Sequence, residues 1–371
     1  MEQKKYRSNS TKIRKPNLIR SISYIGLLAL GISSNAYAQQ KIEFHGGYIK
    51  EEKPLQYKTP SFRVEVKPTT KSETKDSLVE RTYSAQDTSL IERVYSMGDS
   101  IISQNLVDFL NRGRIGNVSF LEKRITAYMQ RYVENQKYTI SKTSQYRDYF
   151  EYASNLVDGV LSAEQLQVSA VIESGGDPDA VSEQDAVGIA QFIEGTAKRY
   201  GLIINDRIGL DQRRDPLPSI KSKAQYLRDL TEKFDKDIPL AIAAYNCGEG
   251  VIDSIIARLS RRYDRQGIDK GQAWRLENIF RYLPYETQGH VVAFLANLNF
   301  LNILIPGVDY KVLPLHSERF RARITERGDS LLRIAKQEGR SPSELKRVNR
   351  HIRAAQARLP PNITVYVPKQ Q

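Results

Sequence analysis

From about residue 87 onward the apolar positions fall at helical spacing, and before that point no period is sustained. Ile91, Val94, Ile101, Ile102, Leu106, Phe109 and Leu110, followed by Phe120, Leu121, Ile125, Tyr128, Met129 and Tyr132, form stripes expected of helices that bury one face. Residues 162–174 open with Ser162 and Gln165, a capping box, and Leu161 is placed to staple onto Leu166. Gly175-Gly176 stop that helix. Further helices are predicted over 218–234, 238–245, 250–262 and 285–305. The last is an apolar run broken by Asn297, Asn299 and Asn302, which reads as a buried core helix, too short and too polar for a membrane span. Pro306-Gly307 end it and residues 307–320 form a linker. The remainder reads β-α-α-β: a strand around Ile324, a helix capped by Asp329, a second helix opened by Ser341-Pro342-Ser343-Glu344, and a closing strand over 364–367.

The first 38 residues carry seven Lys or Arg against Glu2, an apolar run over 22–32, and then Ala36-Tyr37-Ala38. This is the layout of a secretory signal peptide cleaved after Ala38, the run being shorter than the ~20 residues of a span. Residues 39–86, rich in Lys, Glu, Thr, Ser and Pro, read as a flexible arm with one short strand in the alternation at 62–66.

Of the net charge of +13, the leader holds +6, so the body is only moderately basic. That suits an anionic polymer or a membrane surface, and equally plain solubility. Arg213-Arg214 and Arg258, Arg261 and Arg262 read as solvated faces, and a nucleic-acid role conflicts with export. Cys247 is the single cysteine, so no internal disulfide forms. There is no HExxH, no CxxC pair and no phosphate-cradling glycine motif, and His45, His290, His316 and His351 read as surface or packing residues. No metal and no cofactor is expected.

One carboxylate is out of place. Glu173 lies on the stripe of Leu166 and Ala170, at i, i+4 and i+7, facing the core rather than water. Burial disfavours its charged form, and the nearby negative end of the helix dipole pushes the same way, so Glu173 is expected to keep its proton, as a general acid requires. The alternative is a partly exposed Glu at a helix end. Ser174 offers its hydroxyl to a sugar acetamido group or to the acid, or merely ends the helix. Gly188 and Gln191 let backbone and amide meet a ligand, or make a turn and a cap. Tyr245 and Asn246 end an apolar helix, either to hold Glu173 and an acetamido carbonyl or as core and cap. Glu286 supports the site or forms a structural ion pair. Tyr128, Tyr132, Tyr138, Tyr146, Tyr149, Phe150 and Tyr152 line a sugar groove or fill the core. Asp177, Asp179, Glu183 and Asp185 sit in a polar loop, which leaves a second catalytic carboxylate open.

In chain order the sequence holds Glu173-Ser174, Gly188-Ile189-Ala190-Gln191-Phe192, Ala244-Tyr245-Asn246-Cys247-Gly248 and Glu286-Thr287-Gln288-Gly289-His290-Val291. On these blocks it resembles the lytic transglycosylases of the soluble-lytic-transglycosylase type, relatives of goose-type lysozyme, and most of all the membrane-bound murein transglycosylase D subgroup. Two positions depart from the pattern: Ala190 stands where a large side chain is frequent, and His290 replaces the usual Tyr. Gly328-Asp329-Ser330-Leu331, Ile334-Ala335, Leu345, Asn349 and Val365-Tyr366-Val367-Pro368 look like a LysM module, with a longer and more basic stretch at 351–361 than is usual.

The resemblance implies a mainly α protein with a lysozyme-like catalytic domain over 146–306, a helical extension over 87–145 before it, and a small α+β LysM-like domain over 321–371. It implies peptidoglycan cleaved between N-acetylmuramic acid and N-acetylglucosamine with 1,6-anhydromuramyl ends, Glu173 as the acid and then the base, and Ser174, Gly188, Gln191, Tyr245, Asn246 and Glu286 as substrate-binding residues. Peptidoglycan glycan strands are the implied partner, in the periplasm, compatible with peripheral association with the outer membrane. A hydrolytic muramidase and a non-catalytic wall-binding scaffold are the alternatives.

Overall fold

The computed structural model describes Leu106, residues 119–304 and residues 314–369. The expected leader, the arm with its strand at 62–66, the stripes before Leu106 together with Phe109 and Leu110, and residues 305–313 lie outside the described residues.

The described part is mainly helical. In chain order its first body contains α1 (Ser119–Thr143), α2 (Arg147–Leu156), α3 (Ala163–Ser174), α4 (Glu194–Arg199), the two-residue strands β1 (Ile204–Asn205) and β2 (Leu210–Asp211), α5 (Pro216–Lys233), α6 (Ile238–Cys247), α7 (Glu249–Arg265), α8 (Leu276–Ile279) and α9 (Tyr285–Leu304). β1 and β2 pair antiparallel, Ile204 with Asp211 and Asn205 with Leu210.

α9 is the helix the others surround, packing against α1, α3 and α6. Val291, Phe294, Leu295, Leu298 and Leu301 are buried, each such side chain contributing roughly 1.5–3 kcal/mol. Asn297 and Asn299, which interrupt its pattern, are buried too. Asn297 Nδ2 donates to the Ala293 carbonyl and Asn299 Nδ2 lies 3.0 Å from Met129 Sδ on α1, so polar side chains are carried inside by local partners. Among the described residues no single helix is long and apolar enough to cross a membrane. Leu121, Ile125, Met129, Val133 and Ile140 of α1 belong to the same core as α9 and α3. Tyr146, Tyr149 and Phe150 are buried as well, whereas Tyr138 and Tyr152 face solvent.

The second body runs α10 (His316–Arg319), β3 (Phe320–Ile324), α11 (Leu331–Gln337), α12 (Pro342–Val348) and β4 (Thr364–Pro368). β3 and β4 pair antiparallel from Phe320 with Pro368 to Ile324 with Thr364, which gives the expected β-α-α-β order. Its caps differ in one respect from the sequence expectation. Ser330, not Asp329, caps α11, accepting from Arg333 N, while Asp329 Oδ2 accepts from Glu326 N one turn earlier. Ser341 caps α12 as expected, and Glu344 pairs with Arg340.

This second body is docked against the first. Leu210 of β2 lies in its hydrophobic core with Leu331, Leu345 and Ile352. Asp211 N donates to the His351 carbonyl at 2.8 Å and Arg353 N to the Gly209 carbonyl at 2.7 Å. The Tyr366 hydroxyl donates at 2.6 Å to Oδ1 of Asp215, the fully buried residue at the N-terminus of α5. His316, from the second half of the expected linker, is buried against Tyr146, Tyr149 and Tyr366, its Nδ1 2.8 Å from the Tyr149 hydroxyl.

Candidate active site

α3 forms as its sequence dictates. Ser162 N donates to Gln165 Oε1 at 2.8 Å and Gln165 N to Ser162 Oγ at 3.3 Å, closing the capping box. Gly175 ends the helix in the left-handed conformation, φ 62°. Glu173 thereby sits in the last turn on the inner face, 8% exposed.

Four helices each bring one group to this point. Glu173 of α3 faces Lys223 of α5, with Nζ 3.7 Å from Oε1, and His290 of α9, with Nε2 3.2 Å from the same oxygen. From α6, Tyr245 lies beneath Lys223, whose Nζ is 3.8 Å from the ring centroid. The expectation that Glu173 keeps its proton is overturned. Burial does push its carboxyl up, but the Lys223 ammonium and His290 together outweigh burial and hold it below the ordinary glutamate range. Lys223, 2% exposed, is itself pushed down to about 8 by burial, with the Glu173 charge opposing.

Around this group the second block forms a tight turn. Val187 and Phe192 exchange backbone hydrogen bonds at 3.1 and 3.2 Å across Gly188–Gln191. Gly188 adopts φ 81°, and a Cβ there would stand 1.8 Å from the Arg213 carbonyl oxygen. The close approach that needs glycine is therefore made by the protein's own backbone. Gln191 takes φ 50°, a strained value for a side-chain-bearing residue, and its Nε2 donates to the Gly188 carbonyl at 2.9 Å.

Arg213 is not a solvated residue as its sequence context implies. It is buried, forks onto Asp211 with both contacts at 2.9 Å, and donates to the carbonyls of Asp185 and Phe192, pinning the turn. Arg214 donates to the Asp179 carbonyl, whereas Arg258, Arg261 and Arg262 are exposed.

The remaining expected residues converge on the same region, with partners of their own. Ser174 Oγ donates to the Ile189 carbonyl at 3.1 Å, joining the acid's helix to the turn. The Tyr245 hydroxyl donates to the Ala190 carbonyl at 2.6 Å rather than to Glu173. Burial first, and then the Glu173 charge, push that phenol well up. Asn246 Oδ1 accepts from Thr287 Oγ1 at 2.7 Å, which ties the third block to the fourth. Glu286 is half-buried in the first turn of α9. Of the loop acids, Asp177 pairs with Lys142 at 3.7 Å and Asp179 with Arg350 at 2.5 Å, while Glu183 and Asp185 are exposed.

The sequence pattern gives Lys223 no role, and His290 reads there as a surface or packing residue and as a departure from the family pattern. A signal for the lysine was present: Ile220, Lys223, Ala224 and Leu227 share one face of α5, the same anomaly that singles out Glu173. Among the described residues no cluster of His, Cys, Asp or Glu is arranged to hold a metal.

Residues 161–266 match the family model described as transglycosylase SLT domain. Membrane-bound lytic murein transglycosylase D of Escherichia coli (strain K12) is 30% identical over 235 residues, covering 62% of this chain and 49% of that protein. Peptidoglycan transglycosylase gp16 of Escherichia phage T7 is 38% identical over 114 residues, 31% of this chain and 8% of the phage protein. The solved 70 kDa soluble lytic transglycosylase of Escherichia coli aligns with a TM-score of 0.36 at 22% identity, covering 47% of this chain and 26% of its own. The chain thus spans about half the length of the transglycosylase D relative it matches.

Proposed function

We propose, from the match of residues 161–266 to the transglycosylase SLT domain, that the protein is a peptidoglycan lytic transglycosylase, cleaving the β-1,4 bond between N-acetylmuramic acid and N-acetylglucosamine. The observation that most supports this reading is a buried carboxylate, Glu173, on the last turn of the domain's first helix, with the other three motif blocks around it. Protonated Glu173 gives its proton to the glycosidic oxygen as the bond to C1 of the muramic acid breaks, and the glucosamine leaves as an alcohol. The neighbouring acetamido group, or an oxocarbenium-like species, carries C1 through the step. Glu173, now ionised, takes the proton of the C6 hydroxyl as that oxygen closes on C1, which leaves a 1,6-anhydro end and a reloaded acid with no water consumed. Positioned acid-base catalysis of this kind contributes roughly 10²- to 10⁴-fold, and the intramolecular attack adds an entropic advantage.

Gln191, Tyr245 and Asn246 form the wall that receives the sugar, Ser174 and Gly188 set its shape, and Glu286 supports it from α9. The loop acids Asp177 and Asp179, engaged with cations, are poor candidates for the second carboxylate of a hydrolytic pair. The C-terminal β-α-α-β body is read as a LysM-like module that grips glycan. An exported chain acting on peptidoglycan, with relatives named membrane-bound, belongs in the periplasm in peripheral contact with the outer membrane.

Mass spectrometry of digested cell wall tests the assignment. Anhydromuramyl ends are expected, and reducing muramic ends in their place would identify a muramidase instead. Glu173→Gln is expected to abolish product while leaving sedimentation with wall sacculi intact; undiminished lysis by the variant rules the acid role out.

A further inference from the structure

The acid-base cycle of Glu173 gives Lys223 no task, yet burying a lysine is costly and this one is buried in a peculiar way. Its Nζ makes no hydrogen bond among the described residues. It is held by the Glu173 carboxylate at 3.7 Å, an ion-pair distance too long for a hydrogen bond, and by the face of the Tyr245 ring at 3.8 Å. Desolvation of an ammonium is repaid only by charge and by the ring quadrupole, so the arrangement persists because an anion stands beside it. The Tyr245 hydroxyl, anchored to the Ala190 carbonyl, fixes the ring and hence the position of the ammonium.

We propose that Lys223 is a positioning residue for the reaction: its ammonium, seated on Tyr245, grips the Glu173 carboxylate and sets the pH below which that acid is loaded with its proton. The groups facing Glu173 are Lys223 from α5, His290 from α9 and the Tyr245 phenol from α6. Burial alone raises a carboxyl, so without the cation Glu173 loads at higher pH. The ammonium therefore makes Glu173 a stronger acid that is loaded less of the time at neutral pH, and after proton transfer it stabilises the carboxylate that must next act as base. Turnover is confined toward the acid side by a residue that never touches the sugar.

The proposal rests on Glu173 being the acid, and its test separates the two claims. Full-length protein labelled with 13Cδ-glutamate, with the Glu173 resonance assigned through Glu173→Gln, is titrated by NMR as wild type and as Lys223→Met. The methionine keeps the stem and removes the charge. In the wild type the Glu173 midpoint is expected below the ordinary glutamate value in spite of burial; a midpoint above it overturns the proposal with no variant needed. In Lys223→Met the midpoint is expected to rise by about 1–3 pH units, the range an adjacent opposite charge commands. The alkaline limb of anhydromuropeptide release should move up by the same interval, close to tenfold more product per unit above the wild-type limb. An unmoved midpoint overturns the role of Lys223 even where wall digestion is normal. A shifted midpoint in a protein that releases no product keeps the clamp and removes the activity.

Discussion

Asp237 shows what burial does to a carboxylate in this fold when no cation pairs with it among the described residues. It caps α6, accepting from Leu240 N at 2.8 Å, while its second oxygen has no hydrogen bond among the described residues. Burial pushes it up to about 7, the single backbone bond opposing. The folded protein therefore holds a proton there that the unfolded chain, titrating near 3.9, has already lost. Stability is drained as pH rises from about 4 to about 7 and stays lower above that. Asp215, also raised by burial, acts in the same sense. Asp237→Asn keeps the capping oxygen and removes the titration, so the melting temperature of the variant should fall less than that of the wild type between pH 5 and pH 8; parallel curves would exclude the effect. Glu173, equally sheltered, goes the other way because Lys223 and His290 stand beside it. That contrast marks the limit of reading single residues from sequence. The burial of Glu173 was legible from its stripe, but the sign of its shift depended on groups 50 and 117 positions along the chain.

At the scale of elements, local signals were read where local physics decides. The capping box of Ser162 and Gln165, the Gly175 stop, the Ser341 cap and the span of α9 all follow from residues within a turn of each other. The turn at 188–191 did not, because its shape is set by Arg213 and the backbone behind it, which no neighbouring residue announces. Gly188→Ala places a Cβ against the Arg213 carbonyl in a left-handed residue, and about 1–3 kcal/mol of stability should be lost. Chemical denaturation measures it, and a loss well under 1 kcal/mol would mean that the turn yields freely. Cys247, half-buried and pushed up to about 11 by desolvation, should react more slowly with thiol reagents at neutral pH in the folded protein than in denaturant.

Over the whole molecule, the two expected units share side chains. Leu210 sits in the second core, Gly209 packs so closely that a Cβ would lie 2.9 Å from Ala354 N, and Arg353 reaches Asp206. The sequence hid this because each contact joins segments about 150 residues apart, and a Pro-containing stretch reads as a linker whether or not it is pinned. Tyr366→Phe removes the donor to a fully buried carboxylate and should cost about 1–3 kcal/mol, seen as a lower melting temperature and faster limited proteolysis. Equal melting and equal cleavage would mean that the contact contributes nothing to docking.

Under the proposed function, the docked C-terminal body bears on where a strand is cut. A grip mounted on a swinging tether would let scission fall anywhere within reach and yield a smear of fragments. Held by Tyr366 at the N-terminus of α5, the body stands at one offset from Glu173, so under the proposed function a glycan strand seated in both at once is cut at one fixed distance from where it is gripped.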